Sequence, residues 1–284
     1  MTSGTSRSTL RYSTTRKPTS EQYQPFQPIL SVAGLSRFGI CLEEASPCKP
    51  LNNSVHSYLQ INVANPISYA VIPDCTQAVF ISPEGSIISG AQSQACDVPI
   101  LESGDYFGIR FFPGALRHFF DLNLIDITDQ FTDSRYFPCA NFQVLHNAIY
   151  QQENFQQRAN VCEQWLLQHY HPQPVTPFDL ALSLIYQSFG NIKISELATK
   201  TEWTSRHLIR QFRMHTGLST KTFSQIIRIQ HACRQLCIKP SGSSTTALDL
   251  GFFDQAHLLN DYKKRLLSNP SEFFDRFRSD FSNP

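Results

Sequence analysis

No stretch of this 284-residue chain approaches the roughly 20 consecutive apolar residues that a membrane-crossing helix needs, which excludes a helical span. The first twenty residues, MTSGTSRSTLRYSTTRKPTS, also lack an apolar block. They therefore carry no secretory signal, and their Ser, Thr, Arg and Lys content reads as a disordered tail over 1–25. An organellar transit peptide shares that bias. There are 8 cysteines, yet no two in the N-terminal region stand two to four residues apart, the spacing that structural zinc favours. Without an export signal, reduced thiols in a cytoplasmic protein are expected.

The chain also has almost no net charge, +1, but the charge is divided. From Phe178 to the end there are 14 Lys and Arg against 9 Asp and Glu, giving +5, and the remainder carries −4. A basic C-terminal third beside an acidic remainder points to a polyanionic partner for that third alone.

Residues 26–112 read as strands. Leu59, Ile61 and Val63 alternate with polar neighbours, as do Phe107, Ile109 and Phe111. AVFIS and SIIS lie between them, separated by Pro-Asp, Pro-Glu-Gly and Ser-Gly turns. The pattern predicts a small antiparallel barrel or sandwich. From Pro113 the pattern turns helical, and Phe155, Ala159, Cys162, Trp165 and Leu166 form one stripe. That stripe is wider than one helix face needs, which predicts self-association through residues 155–169. HPQPVTP, with three prolines in seven residues, predicts a linker over 171–177.

Everything beyond reads as helices, in a pattern that occurs twice. Ala198 and Trp203 correspond to Ala247 and Phe252 at an offset of 49. Leu208, Phe212, Thr220 and Phe223 correspond to Leu258, Tyr262, Pro270 and Phe273 at an offset of 50, so the second copy holds one inserted residue. Asp254 is a good N-cap, Pro270 stops its helix, and Ser271 can cap the next. Between the copies, Phe223, Ile226, Ile227, Cys233, Leu236 and Cys237 predict one apolar face on a connecting helix. A helix–turn–helix presents its second helix to the DNA major groove, and two joined copies can enter successive grooves. Arg206, His207, Arg210 and Arg213 on the first such helix suit guanine or phosphate. On the second, Gln255 suits adenine, Asn260 suits adenine or phosphate, and Lys263, Lys264 and Arg265 suit the backbone. His207 and His257 would support phosphate contacts or have no role in binding.

These segments resemble the C-terminal DNA-binding domain of AraC/XylS-type transcription regulators. ISELA, SRHLIRQFRMHTGLS, RIQHAC, LDLGFFDQAHLLNDYKK and NPSEFF carry the resemblance over about 100 residues. It implies seven helices, two helix–turn–helix units and promoter binding, with Arg206, Ile209, Arg210, Gln255, Ala256 and Asn260 at base-reading positions. Leu267 stands where the family usually has Gly, Thr220 where Pro is common and Asn260 where Arg is frequent. VIPDCTQAVFISP and GDYFGIRFFPGALRHFF resemble the sensing or dimerising regions of some such regulators, in which a glycine commonly follows Pro-Asp and here Cys75 does.

The expectation is thus an α+β chain. A β-rich barrel or sandwich-like sensing domain with helices spans 26–170, and an all-α DNA-binding domain spans 178–284. The expected protein is a cytoplasmic transcription regulator, an activator by family. Its expected partners are promoter DNA, RNA polymerase, a small-molecule effector and a second copy in a homodimer; no membrane, metal or cofactor is expected. A metal- or redox-responsive regulator using Cys233, Cys237 or the other thiols is the alternative, and a non-DNA adaptor a further one. An enzyme would have to draw on Asp105, Arg110, Arg117 and His118, whose spacing imposes no nucleophile–base pair.

Overall fold

The computed structural model describes residues 23–136, 141–238, 246–269 and 272. Of the disordered-tail expectation over 1–25, residues 1–22 fall outside these, as do Cys139 and most of the NPSEFF segment, whereas residues 23–25 are packed rather than disordered, with Tyr23 stacked on Tyr186 at 4.8 Å. The described chain is an antiparallel β-rich N-terminal part followed by helices.

A short helix α1 (Val32–Ser36) opens the chain, its N-cap Ser31 accepting from Gly34 N. Then come β1 (Ile40–Ala45), β2 (Val55–Val63), β3 (Ile67–Val71), β4 (Gln77–Ser82), β5 (Gly85–Ser89), β6 (Cys96–Ile100), β7 (Gly104–Phe111) and β8 (Phe131–Asp133). Six strands form one sheet in the order β1-β2-β7-β4-β5-β8, and β3 pairs with β6 in a second. All pairings are antiparallel. The register sets Tyr58 opposite Ile109 and Leu59 opposite Gly108, so the two strands share their faces.

The alternation seen in the sequence divides the large sheet between two cores. Tyr58, Phe107, Ile109 and Phe111 pack under α2 (Phe142–Tyr150) and α3 (Phe155–His169), while Leu59, Ile61 and Val63 pack towards Tyr69, Ile72 and Ile100 of the second sheet's side. Covered on both faces, β2 has buried polar residues as well as apolar ones. Gln60 accepts from Arg158 of α3 at 3.0 Å, and Arg158 also reaches Asp105 at 3.4 Å.

The α3 stripe corrects the self-association expectation. Trp165 packs against Phe120 at 5.7 Å and Phe142 at 5.6 Å, and Leu166 and Cys162 are fully buried. Burying an aromatic of this size stabilises by about 1.5–3 kcal/mol, and that stabilisation is already taken within the chain. The extra width of the stripe covers the aromatic cluster at the end of the sheet.

Residues 171–176 have no regular secondary structure, and α4 (Pro177–Gln187) begins with proline at its first turn and a capping box between Thr176 and Asp179. There follow α5 (Ile194–Thr201), α6 (Ser205–Thr216), α7 (Thr220–Ile238) and α8 (Gln255–Leu266). The connecting helix α7 does not use one continuous face. Phe223, Ile226 and Ile227 join the core of α4 to α6, whereas Ile229, Ala232 and Cys233 join a core shared by α8 and the sandwich. Sandwich and helices are therefore packed as one body, through side chains of both.

Candidate nucleic-acid interface

The two repeats fold as paired structures about α7. In the first, α5 leads through a turn at Glu202 and Trp203 into α6, whose N-cap Thr204 accepts from His207 N at 3.2 Å. In the second, a turn over 247–251 leads to α8, whose N-cap Asp254 accepts from His257 N at 2.7 Å. The positions matched between copies are buried alike: Leu208 and Phe212 in the first, Leu258 and Tyr262 in the second. Burial of these stripes leaves the opposite face of each helix to solvent.

On α6, Arg206, Arg210 and Arg213 are exposed, and His207 and Ile209 are half-buried. Arg210 Nη2 lies 3.0 Å from His207 Nδ1, and the His207 ring meets Trp203 edge-on at 4.5 Å. On α8, Gln255, Ala256, Asn260, Lys263 and Lys264 are exposed and His257 is half-buried. His257 Nδ1 accepts from Phe253 N at 3.3 Å, and its Nε2 is 3.8 Å from Asp261. The expected DNA-facing residues thus lie on the outward faces of two helices held on one support.

Arg265 is the exception. It is buried, donating to Ser93 O at 2.9 Å and to Gln225 Oε1 at 2.8 Å, while Ala95 N donates to its carbonyl at 2.7 Å. Residue spacing did not separate it from Lys263 and Lys264, but one step further round α8 brings it against the sandwich. Arg228 of α7 is a second residue that sequence reasoning passed over. It sits 5.1 Å over the Phe252 ring and 3.7 Å from Asp261, and contacts Asn191 and Gly251 O at 3.4 Å. It ties the α4–α5 loop and the turn of the second repeat to the connecting helix.

The two outward faces differ in what stands before them. Asp121, Leu122, Asn123 and Ile125 of the sandwich form the opposite wall of a cleft of about 810 Å³ whose other wall is the Arg206–Arg213 face of α6. At the far end of that helix, Thr128 Oγ1 is 3.0 Å from both Leu124 O and Gly217 O. A recognition helix must enter a groove about 12 Å wide and 8.5 Å deep with a phosphate strand on either side. The Asp121–Ile125 segment faces the side of α6 that would enter such a groove. On its helix side the cleft is lined by Thr204 and α6 alone.

Below α6, Arg117 pairs with Asp179, lies 4.9 Å over the Phe178 ring and donates to Gly114 O at 2.8 Å. Burial and the neighbouring Arg117 charge push both His118 and His215 down to about 4. Burial raises Asp179, but hydrogen bonds from Thr176 and the Arg117 charge outweigh it, leaving the carboxyl below its ordinary range. On the other side, Gln230 of α7 bonds Phe26 N at 2.7 Å and Pro73 O at 2.8 Å, and Tyr23 stacks on Tyr186 at 4.8 Å.

The groups that an enzyme would have drawn on are engaged separately. Arg110 pairs with Asp74 at 2.6 Å inside the sandwich, Asp105 is bonded by Asn62 at 2.6 Å, and His118 accepts from Gln173 N at 3.1 Å. Arg110 and Asp74 border a space of about 60 Å³, with Gln27, Tyr69, Phe80 and Val98 among its other walls. Burial pushes the Cys233 thiol up to about 12, and Cys75 and Cys162 are raised by burial too. Among the described residues, no group of three or more His, Cys, Asp or Glu is placed to hold a metal ion, and no helix is long and apolar enough to cross a membrane.

Two such units joined by one helix define a double helix–turn–helix protein. Residues 197–276 match the helix-turn-helix domain family, which supports the AraC-type resemblance of this part of the chain. Residues 43–133, most of the sandwich, match a domain of unknown function, DUF6597. An uncharacterized HTH-type transcriptional regulator, YbfI of Bacillus subtilis (strain 168), is 25% identical over 88 residues, 31% of this chain. The chain spans about a third (32%) of that curated relative's length. Among solved structures, ToxT from Vibrio cholerae strain SCE256 is similar at 10% identity and a TM-score of 0.40, covering 78% of this chain and 97% of that one. A ToxT structure from Vibrio cholerae O395 bound to (E)-4-(8-methylnaphthalen-1-yl)but-3-enoic acid gives 10% and 0.40, covering 84% and 98%.

Proposed function

We propose that this chain is a sequence-specific DNA-binding transcription regulator, with residues 178–284 meeting promoter DNA and residues 26–170 sensing or dimerising. The observation that carries the reading is the pair of outward helix faces, one with Arg206, Arg210 and Arg213 and the other with Gln255, Asn260, Lys263 and Lys264, each backed by a buried apolar stripe. These are side chains that reach base edges and phosphates. Activation through RNA polymerase, work in the cytoplasm and homodimer formation complete the reading, the last through a surface other than α3.

Control enters through the sandwich. The arrangement described is one in which α6 is screened and α8 is open, so DNA binding by both units requires the sandwich to draw back from α6. A small molecule binding between the sheets is a fitting trigger. The space beside Arg110 is about 60 Å³, well under the ~150 Å³ cavity that accepts benzene. An effector of ordinary size therefore displaces Gln27, which bonds Asp74 at 2.8 Å.

The test is selection of duplexes from a randomised library with the full chain, followed by a salt titration on the selected sequence. Enrichment of one sequence, with affinity falling steeply as salt rises because phosphate-bound counterions are released, is the expected result. Recovery of no sequence at about 50 mM salt would overturn the reading.

A further inference from the structure

Phe253 is 83% exposed, although its neighbour Phe252 is 2% exposed and anchored beneath the Arg228 guanidinium. It is also the residue by which the two repeats differ in length. In the first unit the anchor Trp203 is followed directly by the N-cap Thr204; in the second, Phe253 intervenes between Phe252 and the N-cap Asp254. The offset between copies changes from 49 to 50 at this place. An exposed phenyl ring gains little for the fold, yet the backbone that carries it is held. Gly251 turns at φ 80, Phe252 N donates to Ala247 O at 2.9 Å, and Phe253 N donates to His257 Nδ1 at 3.3 Å. The backbone is held so that the ring stands out at the N-terminal end of α8, the end from which a recognition helix touches base edges.

The charged neighbour on that end is the exposed N-cap Asp254, whose Oδ1 accepts from His257 N at 2.7 Å. Ala256 and Gln255, both exposed, stand in the first turn of α8 two to three residues after Phe253. The matching end of α6 carries Arg206. A cationic end suits guanine and phosphate, whereas Phe and Ala on a major-groove face suit the 5-methyl group of thymine.

We propose that Phe253 is a specificity residue of the second unit, reading a thymine methyl in the major groove together with Ala256. This rests on the DNA-binding reading above. It assigns a role to a residue that lies before α8, outside the helix positions from which base contacts were expected.

The experiment uses the full chain and the duplex that it selects from a randomised library. Replacing each thymine of the selected sequence in turn by deoxyuridine removes one methyl group and nothing else. At one or two positions facing the second unit this should weaken wild-type binding about fourfold, the effect of one buried methyl. Phe253→Ala should bind the thymine duplex roughly three- to tenfold more weakly, should no longer respond to deoxyuridine there, and should keep the wild-type melting temperature. Phe253→Leu, still apolar, should restore part of the discrimination.

Undiminished binding by Phe253→Ala, or an unchanged deoxyuridine response in it, overturns the assignment while leaving the DNA-binding reading intact. Unchanged DNA binding with lost transcription activation also overturns it, and places the ring against a protein instead. Failure of the wild-type chain to select any duplex overturns both.

Discussion

Arg210 and Asn260 occupy equivalent places fifty residues apart, both exposed, and differ in what they offer a base pair. A guanidinium can make a bidentate contact to guanine worth about 1–3 kcal/mol of discrimination. Asparagine is shorter and uncharged, so it reaches less far and adds nothing to phosphate attraction. Arg210→Ala is therefore expected to relax preference at one or two base pairs, and Asn260→Ala to change it less. Lys264→Ala should weaken all sequences about equally and flatten the salt dependence by roughly one ion. Randomised-duplex selection with each variant checks the ranking; erased preference in Asn260→Ala with none lost in Arg210→Ala would reverse it. At this scale the sequence was informative where spacing decides the face, as for Leu208 and Leu258 in the core. It was silent where a neighbour decides it. Arg265 follows Lys263 and Lys264 in a basic run, and only the approach of Ser93 and Ala95 makes it an internal donor.

At the scale of elements, each helix–turn–helix unit needs two left-handed backbone positions, and each has glycine at only one. Glu202 (φ 56) precedes α6 and Gly217 (φ 78) follows it; Gly251 (φ 80) precedes α8 and Leu267 (φ 53) follows it. Gly217 has no alternative, because a Cβ there would also stand 2.7 Å from Leu124 O. Leu267 has no such crowding to justify it, and its side chain is 64% exposed. A leucine in this region is strained, and replacement by glycine gives back some of that relief as unfolded-state entropy. Leu267→Gly is expected to stabilise by about 0.5–1 kcal/mol, read as a higher denaturant midpoint with an unchanged slope. A lowered midpoint would show that Leu267 makes contacts worth more than its strain. Cys75, where glycine commonly follows Pro-Asp in similar regions, is likewise left-handed at φ 61. Helix and strand placement was legible because period and punctuation agree along most of the chain. The division of α7 between two cores was not, since Ile226 and Ile229 look alike in a sequence and belong to different partners.

Across the whole molecule, the contact between sandwich and helices couples stability to pH. His118, His215, Arg117 and Asp179 meet where the sandwich adjoins α4 and α6. Both histidines are held near 4, against about 6.5 when free. The packed state thus binds fewer protons than the unpacked one between those values, and its stability is complete above pH 6.5 and declines as pH falls towards 4. His231, lowered by burial and Arg234, acts with the same sign. Asp179 is depressed below its usual carboxylate value, so its contribution is lost only at lower pH still. Melting temperatures are expected to be level above pH 6.5 and to fall below it, less so in His215→Gln; a level profile down to pH 4 would remove these histidines from the account. None of this interface was legible in the sequence, because both sides of it are ordinary surface residues until Thr128 meets Gly217 and Arg117 meets Asp179.

The same contact supplies the most direct test of control by the sandwich. Thr128 Oγ1 binds the carbonyl of Gly217 at the end of α6, from a position outside the DNA-facing residues. Thr128→Glu puts a longer, charged side chain where that backbone lies, at a cost of about 1 kcal/mol for the lost hydrogen bond, and favours arrangements in which the sandwich has drawn back. If only the drawn-back form engages both units, the apparent dissociation constant is the intrinsic one divided by its population. Raising that population should tighten binding to the selected duplex roughly threefold or more. The added negative charge acts the other way, repelling phosphate, so tighter binding cannot come from electrostatics. Gel-shift titrations of Thr128→Glu, Thr128→Val and wild type at one salt concentration decide it. Thr128→Val keeps the shape and loses only the hydroxyl, and should fall between the others. Equal or weaker binding by Thr128→Glu in a folded chain would mean that the wall before α6 does not govern access to DNA.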